Sequence, residues 1–64
     1  MRTEDEFNKI VDNCINGNWT SAAKQCIEFG FYAKDLIEHN EQSYCKFNSE
    51  TDIAILIEMA TQLR

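Results

Sequence analysis

Proline is absent from this chain, glycine occurs only as Gly17 and Gly30, and histidine and tryptophan occur once each, as His39 and Trp19. Two isolated glycines build no glycine-rich phosphate loop, and one histidine leaves no HExxH-like metal spacing and no supported Ser-His-Asp set. Three cysteines, Cys14, Cys26 and Cys45, stand twelve and nineteen residues apart. That is neither an even disulfide framework nor zinc-ligand spacing. Positive charge is sparse: Arg2, Lys9, Lys24, Lys34, Lys46 and Arg64 are scattered singly in a chain of net charge −5. Without a basic patch to displace counterions, direct nucleic-acid binding is not expected. No long hydrophobic run exists either, the longest being the five residues from Ile53 to Ile57. A membrane span needs about 20 such residues. The acidic start Met1-Arg2-Thr3-Glu4-Asp5-Glu6 does not resemble a signal peptide, so the expected location is a cytoplasm.

What is present is globular in composition, 44% hydrophobic and 27% charged over 64 residues, enough for one small domain. Thr3 and Glu6 form a capping-box pattern, and three acids in the following turn complement the helix dipole. Phe7, Ile10, Val11, Cys14 and Ile15 then recur with the spacing of one buried helical face, and Gly17 supplies a left-handed stop. Asn18 reads as the next N-cap, and Trp19, Ala22, Ala23, Cys26 and Ile27 repeat the same face twelve residues on. Two alanines on that face admit a closely packed neighbour. So short a connection implies an antiparallel helical hairpin.

Gly17-Asn18-Trp19, followed by Ala22, Cys26 and Phe29, resembles the turn of a tetratricopeptide-type helical hairpin. The likeness covers about a third of the chain and has no second copy, so it implies local hairpin packing and no tandem-repeat peptide binding.

Gly30 ends the second helix, with Phe31 placed for a Schellman contact. A third helix is expected from Phe31 or Tyr32 to Asn40, with Ala33, Leu36 and Ile37 inward. Residues 41–48 read as an irregular segment, or as an extension of that helix, with Tyr44 and Phe47 folded back as lids. Ser49 or Asn48 caps a last helix whose apolar residues, Ala54 excepted, span an arc of roughly 200°. Ile53, Leu56, Ile57, Ala60 and Leu63 suffice for its inner face. The fold class predicted is all-α, a bundle of three to four short helices starting with an antiparallel hairpin.

Few residues carry chemistry. Cys14 and Cys26 fall on apolar faces and read as small buried hydrophobes, while Cys45 lies in the irregular segment with no histidine or basic cluster adjoining to activate it. Asp35 and His39 stand one turn apart as a solvated ion pair, without a third group or a cleft. Asn18-Trp19-Thr20 matches a glycosylation sequon that is empty without a secretory signal, and Trp19 is in phase with the core. Catalytic, cofactor and metal residues are therefore none, and no enzyme is expected.

Two surfaces remain. Ile55 and Met59 are left over on the flank of the last helix; either Ile55 packs under the Tyr44–Phe47 segment, or the pair makes a homodimer contact. Glu38, Glu41, Glu50 and Asp52, with Tyr44 and Phe47, form the expected partner-binding surface, Tyr32 being a further aromatic nearby. In length, acidity and lack of proline the chain resembles the small accessory proteins of bacteriophages. That resemblance implies a stoichiometric inhibitor occluding a site on a host or defence protein. The alternatives are an oligomeric nucleotide-sequestering protein, using aromatics with Lys34 and Lys46, and a structural or regulatory subunit of a larger complex.

Overall fold

A computed structural model describes residues 3–44 and 46–64. Its helices are α1 (Glu4–Ile15), α2 (Trp19–Phe29), α3 (Ala33–Gln42) and α4 (Glu50–Leu63), and the described residues contain no strand. The all-α expectation holds, with α1 and α2 as the opening hairpin.

Local sequence accounts for most of the boundaries. Thr3 Oγ1 accepts the Glu6 N–H at 3.2 Å while Glu6 Oε1 accepts the Thr3 N–H at 3.0 Å, closing the capping box. Two Schellman turns follow. At the first, the N–H of Gly17 donates to Cys14 O and that of Asn18 to Asn13 O; at the second, the N–H of Gly30 donates to Ile27 O and that of Phe31 to Cys26 O. Both glycines are left-handed, at φ +83° and +78°, as these turns require. Asn18 stands at the N-cap of α2, but its side chain makes no capping bond; its carbonyl accepts the Ala22 N–H instead.

The third helix starts and ends later than periodicity suggested. Tyr32 is its N-cap, and Asp35 Oδ2 accepts the Tyr32 N–H at 3.0 Å. Phe31 is not helical: it turns inward and is fully buried. The helix runs past Asn40 to Gln42, closed by a bond from the Ser43 N–H to His39 O. At α4, Ser49 Oγ accepts the Asp52 N–H.

The core joins Phe7, Ile10, Val11 and Cys14 of α1 to Ala22, Ala23 and Cys26 of α2 and to Ile53, Leu56 and Ala60 of α4, with Phe31, Leu36 and Phe47 closing it. Phe7 is its aromatic hub: Phe31 lies 6.3 Å away, His39 stacks at 5.4 Å and the Phe47 ring meets it edge-on at 5.7 Å. Trp19 and Phe29 pack against the edge of this core, half-buried. Helix α4 packs chiefly on α2 and much less on α3. Among the described residues no helix is long and apolar enough to cross a membrane.

Several predicted inward residues face solvent. Ile15 and Ile27 are exposed, because each lies about 90° from the centre of its helix's buried face at 100° per residue. Ala33, Ile37 and Leu63 are exposed as well, leaving Leu36 as the one buried residue of α3.

Candidate functional site

A recess lies between α3 and α4. Ile37, Asn40 and Glu41 form one wall and Glu50, Ile53, Ala54 and Ile57 the other, around about 340 Å³. Each wall is a helical row at i, i+3, i+4, and α4 adds i+7, so both sets of side chains stand on neighbouring turns. Ala54 lies within its row, and its small side chain leaves the recess open. Ile37, 47% exposed, contributes apolar surface to the opposite wall. The connection below is fixed by Asn40, whose Oδ1 accepts the Phe47 N–H at 3.0 Å.

The charge of this recess is one-sided. Glu41 and Glu50 are both exposed, and no lysine or arginine among the described residues lines it. Helix α4 carries no basic residue from Glu50 to Leu63. On α3, Lys34 stands outside the recess, and His39 is turned to the core, packed on the rings of Phe7 and Phe31.

Of the six residues expected to bind a partner, the structure brings Glu41 and Glu50 together across the cleft. Glu38 is exposed on α3 without lining it, and Asp52 is half-buried with its charge near the Cys14 thiol. Phe47 is a correction: at 6% exposure it is a core residue, and its surface is spent on Phe7. Tyr44 is the converse correction, a fully exposed ring rather than a lid. Of the self-association pair, Ile55 is 44% exposed, whereas Met59 packs against the core and offers little to a second copy. Ile55 and the cleft lie on different flanks of α4, about 100° or more apart by helical phase. Cys45 falls outside the described residues.

Ile37, expected inward, and Ala54, outside the apolar arc of α4, both line this recess. The signal for both was the row Glu50, Ile53, Ala54, Ile57 facing Ile37, Asn40, Glu41. Such rows mark a groove only once the distance between the two helices is known.

Chemistry elsewhere is quiet. Burial pushes the Cys14 thiol up to about 12, with the neighbouring Cys26 and Asp52 adding to the rise. Burial likewise raises Cys26 to about 11, partly offset by Arg64. Both thiols are therefore protonated near neutral pH and poor nucleophiles. Asp35, expected to pair with His39, caps α3. No cluster of three or more His, Cys, Asp or Glu side chains suited to a metal occurs among the described residues. No family model, curated protein or solved structure matches the chain.

Proposed function

We propose that this chain is a protein-binding module that engages one partner stoichiometrically through the α3–α4 cleft. The observation that carries the reading is the cleft itself: an open apolar recess of about 340 Å³ with Ile37 half-exposed on one wall and Ala54 on the other. Recesses of this size bind by taking up apolar anchor side chains, with a few polar groups at the edge setting orientation. The mode of action is occlusion, with the small domain covering a site on a larger protein. The resemblance to small bacteriophage accessory proteins supports a host or defence protein as that target. The carboxylates of Glu41 and Glu50 disfavour the nucleotide alternative, since a phosphate at this cleft meets like charge.

Ala54→Arg tests the reading. Residue 54 is exposed, and arginine is a good helix former, so the substitution fills the cleft without disturbing the core. Immobilised wild-type chain is expected to retain one bacterial protein at a one-to-one ratio, and Ala54→Arg to lose it while its helical circular dichroism is unchanged. Equal capture by both chains, or capture by neither, would overturn the proposal.

A further inference from the structure

The lining of the cleft specifies its occupant more closely than "a protein". Resting on the protein-binding reading above, we infer that the α3–α4 cleft receives a cationic amphipathic segment, with apolar anchors flanked by lysine or arginine. The floor and walls supply Ile37, Ile53, Ala54 and Ile57, a surface that rewards an aliphatic or aromatic side chain, with Asn40 the one uncharged polar side chain among the lining residues. The charged groups at the edge are Glu41 on α3 and Glu50 on α4, so an anchor entering between the walls passes between two carboxylates. Among the described residues no lysine or arginine lines the recess to neutralise them. An acidic segment would therefore meet uncompensated repulsion, whereas a basic one gains two ion pairs at the moment the anchor seats.

The net charge of −5 adds a long-range attraction of the same sign of preference, acting on the encounter rate and weakened by salt. The cleft, however, distinguishes itself from the rest of the acidic surface by its apolar walls. The first turn of α1 carries Glu4, Asp5 and Glu6 in a row, yet none of the three lines this recess. Basic character alone should favour neither place. Basic character together with an apolar anchor should favour the cleft.

The test uses three amphipathic helical peptides with the same leucine spacing, carrying lysine, glutamine or glutamate at the polar positions. Each is titrated into isotopically labelled full chain and followed by amide chemical shifts. The lysine peptide is expected to shift the amides of Ile37, Glu41, Ala54 and Ile57, and to bind about tenfold less tightly to the Glu41→Gln/Glu50→Gln variant, as expected for two exposed ion pairs. The glutamine peptide should bind the same amides more weakly and without salt dependence, and the glutamate peptide should not bind. Equal binding of all three peptides at the cleft would overturn the cationic inference and leave the protein-binding reading standing. Shifts spread over Glu4 to Glu6, unaltered by Ala54→Arg, would overturn the inference by showing bulk charge attraction. Loss of the captured partner by Ala54→Arg, with no peptide touching the cleft, would also refute the cationic occupant while keeping the reading. Capture indifferent to Ala54→Arg would remove both.

Discussion

Gly17 is where the hairpin stands or falls on backbone geometry alone. Its φ of +83° lies in the left-handed region, and a Cβ built there would meet nothing within 4 Å. Steric collision therefore contributes nothing to the cost of a side chain at this position, and only the intrinsic left-handed penalty remains, about 1–2 kcal/mol for an L-residue. Alanine also lowers the entropy of the unfolded chain, which offsets up to roughly 0.4–1 kcal/mol of that penalty. Gly17→Ala is thus expected to lose about 1 kcal/mol. Gly17→Asn should lose less, because asparagine tolerates the left-handed region, and Gly17→Val should lose more. If the turn relaxes instead of straining, the bonds to Cys14 O (3.1 Å) and Asn13 O (2.7 Å) go, and the loss is capped at about 0.5–1.5 kcal/mol for each. A domain of this size has roughly 3–10 kcal/mol to lose. Urea titration followed by helical circular dichroism resolves the series, and 1 kcal/mol corresponds to a fall of about 4–8 °C in Tm. The order Gly, Asn, Ala, Val in falling stability supports the turn. Alanine as stable as glycine, or valine no worse than alanine, would refute the left-handed geometry. A loss well above 3 kcal/mol for alanine would refute the open space around it.

Two further outcomes follow from the core and from α4. Because the folded pKa values of Cys14 and Cys26 are raised from 9.0, to about 12 and about 11, the contribution of these thiols is fully present below pH 9 and is lost as pH rises. Above that point the unfolded chain releases protons the native chain keeps, so stability should fall by up to about 1.4 kcal/mol per pH unit for each thiol. Urea midpoints measured under reducing conditions should show the fall between about pH 9 and 11, and Cys14→Ala/Cys26→Ala should flatten it; an equal slope in that variant would assign the loss to other groups. On α4, exposed Ile55 alone offers far less than the roughly 800 Å² each partner of a stable dimer buries, so Ile55→Glu is expected to leave the sedimentation mass unchanged. A mass that rises with concentration, and that Ile55→Glu returns to one chain, would instead establish self-association through this flank.

The features legible in the sequence were those decided within a few residues. The Thr3–Glu6 box, the stops at Gly17 and Gly30, the Phe31 contact and the Ser49 cap depend on bonds spanning three to five positions. The centres of the apolar stripes were equally plain, because Phe7, Ile10, Val11, Cys14, Ala22, Ala23 and Cys26 are buried in any hairpin that pairs these faces. The edges of the stripes were not. Whether Ile15, Ile27, Ile37 or Leu63 is covered depends on which side of each helix a third element occupies, and periodicity carries no information on that. The cleft is such an edge. Its acids, Glu41 and Glu50, were picked out by charge, but its apolar walls exist only because α4 leans on α2 and leaves α3 at a distance.

That distance has an identifiable cause. Helix α3 buries a single side chain, Leu36, which contributes about 1.5–3 kcal/mol, too little to draw a ten-residue helix against α4 along its length. It is held by its ends. At the start, Phe31 is sunk in the core, Arg64 donates from its guanidinium to Phe31 O, and the same guanidinium lies 4.1 Å from the centre of the Tyr32 ring. At the far end, Ser43 Oγ donates to Glu4 Oε1 at 3.1 Å, and the Asn40–Phe47 bond ties the outgoing chain to the aromatic core. Between these pins His39 rests on Phe7 and Phe31, outside the lining of the cleft. The cleft is therefore a standing gap set by end restraints rather than a flaw in packing. An anchor side chain that enters it displaces no core contact of α3. Occupation of the cleft thus carries little reorganisation cost, which is the property a binding face needs and a merely underpacked core lacks.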